Sequence, residues 1–239
     1  MKKTALVIGA SGDIGLAICR QLASSGYQLI LHYHQNKQAI EEFISTCPKQ
    51  SILQIIQADL SDQADLNRFL DQLMFKVDCI IFSSGKTHFG VFQSASETLM
   101  DQMLTLHVKA PWVITKKLLP DMIQRRSGHI ILITSIWGTV GASYEVLYST
   151  VKGAQNSFIK ALAKEVAPSG VSVNGISPGF IDTKMNRHLD EAEREAVISD
   201  IPMQRAGTAE EIAHTVLFLL DEKAKYIQGE IIKVTGGWS

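Results

Sequence analysis

Short apolar runs rich in Ile, Val and Leu alternate with longer amphipathic stretches along almost the whole chain. Runs of about four to eight such residues are typical of buried parallel strands, whereas apolar residues that recur every three or four positions indicate helices. The pattern predicts strands at 4–8, 28–33, 52–57, 77–83, 129–135, 170–176 and 230–234. It predicts helices at 13–24, 37–46, 62–75, 97–124, 145–166 and 209–221.

The regular alternation of strands and helices determines how the strands pair. Strands that are separated by a helix lie parallel and are joined by right-handed crossovers. We therefore expect an α/β fold with one doubly wound sheet of seven parallel strands and helices on both faces. In the fourth helix, Ser94 followed by Glu97 predicts a capping-box start, and Pro111 predicts a kink.

Candidate polar and glycine residues follow the ends of several predicted strands. Doubly wound sheets bind their ligands beyond the carboxyl ends of the strands. The topology is therefore expected to bring together the residues that follow five different strands, namely Gly9, Asp59, Ser83, Ser135 and Pro178.

A glycine-rich turn separates the first strand from the first helix. Small residues let the backbone approach a pyrophosphate, and the start of a helix attracts negative charge. The spacing differs from Gly-x-Gly-x-x-Gly, so the turn by itself also suits a tight strand–helix connection. As a dinucleotide site it would use Gly9, Ser11, Gly12, Asp13, Ile14 and Gly15.

A second set of residues has the chemistry of a proton donor. Tyr148 and Lys152 are four positions apart and so lie on one face of a predicted helix, with Ser135 thirteen residues before Tyr148. An ammonium at that distance would lower the pKa of the phenol, and a serine hydroxyl would hold a carbonyl oxygen. This arrangement predicts a site that protonates a C=O group.

Composition narrows the possible functions. A net charge of −1 over 239 residues gives no basic field for nucleic acid, and no apolar run reaches the length of a membrane span. The three cysteines have no metal-ligand spacing and are typical of a reducing cytoplasm. We expect neither a metal site nor a membrane segment, and we expect a cytoplasmic protein.

With these motifs the chain resembles the short-chain dehydrogenase/reductase superfamily over its whole length, as one NAD(P)-binding domain at 1–239. The resemblance implies a Rossmann-like fold and hydride transfer between a nicotinamide and a carbonyl carbon, with Tyr148 as the proton donor. It also implies cofactor contacts from Tyr148, Lys152 and from Asp59, Leu60, Pro178, Gly179, Ile181 and Thr183.

Three positions depart from the pattern of this superfamily. Asp13 replaces its middle glycine, and we interpret it as a helix-start residue whose carboxylate points away from the pyrophosphate. Its Asn-Asn-Ala-Gly turn is replaced after the fourth strand by Phe82, Ser83, Ser84 and Gly85. The asparagine of its catalytic tetrad, which supports a water chain to the lysine, is His107 here. That histidine is either a proton relay or a core residue.

The end of the second strand indicates which nicotinamide cofactor is preferred. NAD-selective relatives usually carry an acid there. Here Tyr33 stands in that place, and His34 and Lys37 offer positive charge for a 2′-phosphate. Unless these are merely solvated loop residues, the sequence favours NADPH over NADH, although Gly12 lacks the basic side chain of many NADP-using relatives.

The sequence is compatible with the carbonyl substrates of two families of reductases. The C-terminal segment resembles the β-ketoacyl carrier-protein reductases, but only Arg126 of the two matching rim positions is basic, since Ser169 occupies the other. Other segments resemble the elongation factor P 5-aminopentanone reductases of Gram-positive bacteria, and Glu145 near Trp137 suits the ammonium of such a substrate. Glu145 equally suits the start of a helix.

Two further expectations follow from the resemblance and its gaps. The family forms homo-oligomers through the fourth and fifth helices and the C-terminal strand, so we expect a homotetramer or homodimer. The altered positions, His107 above all, leave a non-catalytic nucleotide-sensing scaffold as an alternative from another functional class.

Overall fold

Aliphatic side chains on both faces of a parallel sheet form the core of the chain. A computed structural model describes residues 2–186 and 189–238. The seven strands are β1 Thr4–Ile8, β2 Gln28–Tyr33, β3 Ile52–Gln57, β4 Cys79–Phe82, β5 Gly128–Ile133, β6 Val171–Pro178 and β7 Ile231–Val234. All are parallel, in the order β3-β2-β1-β4-β5-β6-β7. The α/β prediction is confirmed.

The helices flank this sheet on both sides. They are α1 Asp13–Ser24, α2 Lys37–Thr46, α3 Gln63–Gln72, α4 Glu97–Leu104, α5 Ala110–Gln124, α6 Trp137–Val140, α7 Val146–Val166, α8 Glu191–Asp200 and α9 Ala209–Leu219. A π-helical turn, Thr105–Lys109, joins α4 to α5.

Alternate residues of each strand face opposite layers of helices, as the twofold repeat of a strand requires. Ala5 and Val7 of β1 pack in the layer that contains α1, α2 and α9. Leu6 and Ile8 pack in the layer that contains α3, α5 and α7. Since helices cover both faces of the sheet, the strands consist of continuous apolar runs, and such runs are easy to recognise in the sequence.

The topology has one switch point, between β1 and β4. The chain winds outward from β1 to β3 and then returns to place β4 on the other side of β1. Connections leave in opposite directions at this point, so a crevice opens above the carboxyl ends of β1 and β4. Gly9 and Ser83 are the first residues beyond those two ends.

The predicted fourth helix differs most from the structure. Its N-cap is Ser96, whose side chain accepts from the N–H of Leu99, so the prediction of a cap at Ser94 was wrong. The Ser94 hydroxyl instead donates to the carbonyl of Val91 within a short 3₁₀ turn. Pro111 lies in the first turn of α5, where its missing N–H is tolerated, and the helix is interrupted by the π turn before it.

Two helices were not predicted, and one was predicted too long. Helix α6 has only four residues, too few for a hydrophobic period, and α8 has no buried residue among those described. Helix α3 ends at Gln72 instead of continuing to 75. In the part of the chain that the structure describes, no helix is both long and apolar enough to span a membrane.

Exposed apolar side chains on α4 and α5 fit the expected oligomer. Leu104, Trp112 and Ile123 are each more than a third exposed, and the Trp112 ring lies 6.3 Å from that of Phe158 on α7. Exposed apolar side chains that cluster on adjacent helices are typical of protein–protein interfaces.

We predict that the protein forms an oligomer in which Trp112 is buried. Light scattering at micromolar concentration should give a mass several times the 26.3 kDa of one chain. Trp112→Glu should lower that mass, because a carboxylate would be buried in an apolar contact. The control is Met74→Glu, which changes a side chain that is 80% exposed in the segment after α3. A single-chain mass for the unmodified protein would contradict the prediction.

Candidate active site

The glycine-rich turn begins at the switch point of the sheet. Gly9 has a φ of +84°, and a Cβ built on it would lie 2.5 Å from the backbone nitrogen of Ser84. A Cβ on Gly15 would lie 2.2 Å from the carbonyl oxygen of Gly9. Glycine is therefore required at both positions, first for the turn and then for the approach of α1 to it.

Helix α1 starts directly after this turn and has no side-chain cap. Its N-cap is Gly12, so the backbone N–H groups of the first turn are capped by no side chain. Asp13 is the first helical residue, and its Oδ2 accepts from the backbone N–H of Lys184 at 2.6 Å. The carboxylate is thus engaged by the loop after β6. Such a helix start, with its own acid turned to another partner, fits a pyrophosphate.

His32 supports the turn from below, and sequence reasoning did not select it. The N–H of Gly9 donates to Nδ1 of His32 at 3.1 Å, so the ring proton is on Nε2, which lies 3.0 Å from the carbonyl of Ala58. The ring is 2% exposed, and burial lowers its pKa to about 4. A neutral histidine therefore connects the ends of β1, β2 and β3. In the sequence, the one indication of this role is a histidine near the end of a strand that is predicted to lie beside the strand of the glycine-rich turn.

The corner beyond β2 carries the residues expected to select the cofactor. Tyr33 is only 5% exposed, and its hydroxyl donates to Oε1 of Gln57 at 3.3 Å. Its ring therefore lies beneath this corner, because the strand directs it into the core with α2. Two exposed side chains with basic groups lie here. Nε2 of His34 is 3.6 Å from Oδ2 of Asp59, and Lys37 pairs with Glu41 at 2.9 Å.

The segment after β3 presents its backbone to this corner. Oδ1 of Asp59 accepts from the N–H of Ser61 at 2.9 Å and from its hydroxyl at 2.6 Å. Leu60 is 1% exposed and packs in the core, so only its backbone is available to a ligand.

The loops after β4 and β6 border the same crevice. The Ser83 hydroxyl donates to the carbonyl of Ile8 at 2.8 Å, which ties this serine to β1. The N–H of Gly179 donates to the carbonyl of Val234 at 3.0 Å, and that of Ile136 donates to Pro178 at 3.1 Å. Farther along, Ile181 is buried, and the Thr183 hydroxyl lies 3.5 Å from its carbonyl.

Tyr148 and Lys152 lie one turn apart on α7, as predicted, and Ser135 lies just beyond β5. All three are buried, and the Lys152 ammonium is 5.4 Å from the centre of the Tyr148 ring. Nζ of Lys152 donates to the carbonyl of Ile133 at 2.9 Å. A Cβ on Gly138 would lie 2.7 Å from the Lys152 carbonyl carbon, so only glycine lets α6 pack this closely on α7. The structure therefore brings the three residues together at one edge.

Burial dominates the ionisation of this pair. Burial raises the pKa of Tyr148 above its usual range, the charge of Glu145 raises it further, and a hydrogen bond with Ser135 opposes them. Burial also lowers the pKa of Lys152 to about 7. The pKa of Tyr148 is thus raised, and the prediction that Lys152 lowers it was wrong for this structure, because desolvation and a nearby carboxylate dominate.

His107 lies in the π turn, against the ring of Tyr148. The two ring centres are 5.8 Å apart in an edge-to-face arrangement, and burial lowers the pKa of His107 to about 3. Its Nε2 lies 3.0 Å from the carbonyl oxygen and 3.3 Å from the nitrogen of Lys86. The side chain is therefore neutral and bound to the backbone after β4, near Gly85.

An acid and several aromatic rings form the mouth of the site. Glu145 is the N-cap residue of α7, but its side chain does not cap the helix. Its Oε2 accepts instead from the hydroxyl of Thr87 at 2.8 Å. The Tyr144 ring stacks on Phe89 at 5.3 Å, and the ring of Trp137 lies 5.2 Å from that of Trp238.

The expected basic rim lies elsewhere in this chain. Arg126 precedes β5 and Ser169 precedes β6, so both are at the amino edge of the sheet, opposite the site. Arg126 donates to the carbonyl of Pro168 at 3.0 Å, and the neighbouring Arg125 contacts Asp121. No group of His, Cys, Asp and Glu side chains that could hold a metal ion occurs in residues 2–186 and 189–238.

We predict that acid destabilises the protein partly through His32. Its folded pKa of about 4 is below the ordinary 6.5, so between these values the unfolded chain binds more protons and stability falls as the pH falls. His32→Gln should cost about 1–3 kcal/mol at pH 7, since Gly9 and Ala58 lose a partner. In denaturant unfolding, the free energy of unfolding of the variant should also decrease less steeply as the pH falls below 6.5. The control is exposed His214→Gln, and equal pH slopes for both variants would contradict the prediction.

The sequence matches one family model and many known proteins. A model described as enoyl-(acyl carrier protein) reductase matches residues 9–239. An uncharacterized oxidoreductase of Bacillus subtilis, YmfI, is 45% identical, and the match covers 100% of this chain and 99% of that protein. The 3-oxoacyl-[acyl-carrier-protein] reductase FabG of Staphylococcus aureus is 32% identical over 99% of this chain and 98% of its own length.

Solved structures give the same result for the fold. An NAD(P)-dependent gluconate 5-dehydrogenase from Beutenbergia cavernae, so described and with bound NADP, superposes with a TM-score of 0.92 and 27% identity over 99% of this chain and 96% of its own. YwfH, described as an NADPH-dependent reductase involved in bacilysin biosynthesis, superposes with a TM-score of 0.90 and 27% sequence identity, and the match covers 100% of this chain and 99% of that one. The chain belongs to the short-chain dehydrogenase/reductase superfamily of oxidoreductases.

Proposed function

We propose that this protein is an NADPH-dependent carbonyl reductase that converts a ketone into a secondary alcohol. The observation that carries the proposal is the position of Ser135, Tyr148 and Lys152, which lie together at the edge of the sheet where the glycine-rich turn begins. A hydroxyl, a phenol and an ammonium around one small space suit the polarisation and protonation of a carbonyl oxygen.

Each of the three residues has a distinct part in this reaction. The Ser135 hydroxyl donates to the substrate oxygen and orients it, while the Tyr148 hydroxyl gives that oxygen its proton as the C=O π pair moves onto it. The Lys152 ammonium stabilises the tyrosinate that is left. When bound, NADPH would supply the hydride that adds to the carbonyl carbon. Water later returns the proton to Tyr148.

The residues around the crevice fit a phosphorylated dinucleotide. The start of α1 at Gly12 would hold the pyrophosphate, and the segment from Pro178 to Thr183 would border the nicotinamide. His34 and Lys37 are exposed side chains beyond β2, where NAD-selective proteins place an acid, and they offer a 2′-phosphate an imidazole and an ammonium. The bound NADP and the NADPH dependence that are stated for two similar structures support the same choice.

A 3-oxoacyl group on a carrier protein is the first candidate substrate. Its support is the full-length similarity to FabG. Arg126 and Ser169 lie at the opposite edge of the sheet, so these two positions give no basic rim beside the site of their own chain, and a carrier protein that used Arg126 would contact it on a neighbouring subunit.

Glu145 favours a second candidate, a ketone that carries an ammonium group. The aminopentanone attached to a lysine of elongation factor P has this chemistry. The carboxylate of Glu145 lies at the mouth of the site, is held by Thr87 and has the stacked rings of Phe89 and Tyr144 beside it. An acid with aromatic neighbours binds an ammonium through charge pairing and cation–π contact.

We predict that Tyr148→Phe lowers kcat for ketone reduction by roughly 10²–10⁴, because it removes the proton donor and little else. Fluorescence titration should give unchanged NADPH affinity in the variant.

In the unmodified protein, the same titration should show tighter binding of NADPH than of NADH. A protein that binds NADPH but oxidises it with no ketone of a broad panel would contradict the proposal and favour a nucleotide sensor.

For the second candidate, we predict that Glu145→Gln raises KM about tenfold to a hundredfold for an amine-bearing ketone, which loses its charge partner. An uncharged ketone of equal length should show little change. Glu165→Gln, near the other end of α7, removes the same charge at a distance and serves as the control. Equal losses on both ketones would mean that Glu145 only supports the loop before Tyr148.

A further inference from the structure

Gln155 lies one turn after Lys152 on α7 and bonds to two groups at once. Its side chain is 4% exposed. Its Oε1 accepts from the Lys152 ammonium at 3.2 Å, and its Nε2 donates to the main-chain carbonyl of His107 at 2.8 Å. The amide therefore connects the lysine of the site with the π turn.

The chemistry of the two partners fixes the orientation of this amide. An ammonium can only donate and a carbonyl oxygen can only accept, so Oε1 must face Lys152 and Nε2 must face His107. The carbonyl of His107 is the one whose α-helical partner would be the N–H of residue 111, and Pro111 has none. The π turn and the proline together leave an acceptor that Gln155 uses.

We propose that Gln155 is a positioning residue for the reaction: its side-chain amide joins the Lys152 ammonium to the His107 main-chain carbonyl and keeps that ammonium charged and in place. This inference rests on the proposed carbonyl reduction. The superfamily resemblance implied that water molecules connect the lysine to the residue at position 107. Here the Gln155 side chain makes that connection, and it does so through the main-chain carbonyl of His107 and not through the imidazole ring.

The other groups around Lys152 do not supply this link. Tyr148 shares α7 and faces it as a neutral phenol, and the ring of His107 is neutral and bound to Lys86. The carboxylate of Glu145 affects Tyr148, whereas burial alone accounts for the low pKa of Lys152. Among the residues that the structure describes, the ammonium donates to the Ile133 carbonyl and to Gln155, so the loss of Gln155 removes one of these two acceptors.

The first test measures the ionisation of Lys152 in the cofactor-free protein. Unfolding free energies of the unmodified protein and Lys152→Met are compared from pH 5 to 10. Between the folded pKa of about 7 and the unfolded 10.5 the unfolded chain holds more protons, so the protein with Lys152 gains stability as the pH rises. The pH at which this gain begins reports the folded pKa.

Repeating the comparison in a Gln155→Leu background should move the onset to lower pH by about one to two pH units, the worth of one hydrogen bond to a charged group. Gln155→Glu, which keeps the size of the side chain, should move it to higher pH. Gln228 is the matched control, since its amide also bridges two backbone groups, Val173 N–H and Val171 C=O, far from Lys152. Gln228→Leu should leave the onset unchanged.

The second test is the pH profile of ketone reduction. Since the active form needs a charged Lys152, the alkaline fall of kcat/KM should move to lower pH in Gln155→Leu and to higher pH in Gln155→Glu, with the Gln228→Leu profile unmoved. An unchanged onset in the first test would overturn the proposal. A shifted onset with an unmoved profile would overturn its catalytic part. If the unmodified protein reduces no ketone, the proposed function fails, and the first test still decides whether Gln155 controls Lys152.

Discussion

A buried ammonium constrains the whole neighbourhood of the candidate site. Lys152 is 2% exposed, and a charge at such a position is stable only with acceptors that are held in place. The carbonyl of Ile133 and the amide of Gln155 are those acceptors, so β5, α7 and the π turn must keep their relative positions. Gly138 lets α6 pack closely against the backbone of Lys152 itself.

The second constraint is the meeting of four strand ends beneath the glycine-rich turn. His32 bonds to Gly9 and to Ala58, and Ser83 bonds to Ile8, so β1 to β4 are tied together where the sheet switches direction. These bonds use neutral groups inside the protein. The exposed side chains of His34 and Lys37 lie at the surface above them, where we propose that a dinucleotide binds.

The strands and the Ser135–Tyr148–Lys152 set could be predicted because each depends on local pattern. Continuous apolar runs mark strands that are covered on both faces, and a four-residue spacing puts Tyr148 and Lys152 on one helical face. The roles of His32 and Gln155 could not be predicted, since each depends on partners 23 to 48 residues away that only the fold brings close. The burial of Tyr33 was missed because tertiary packing, not spacing, decides it. The cap of α4 is a local bond from the N–H of Leu99 to Ser96, and the prediction failed there because it chose a serine two residues too early.

Transfer of deuterium from the cofactor tests the central claim most directly. Ketone reduction with NADPH that carries deuterium at both C4 positions of the nicotinamide should give an alcohol with one deuterium on the carbinol carbon, by mass spectrometry and NMR. The carbon-bound deuterium does not exchange with water, so it records direct hydride transfer. An alcohol without deuterium on that carbon, or a label lost to water, would contradict direct hydride transfer at the edge formed by Ser135, Tyr148 and Lys152.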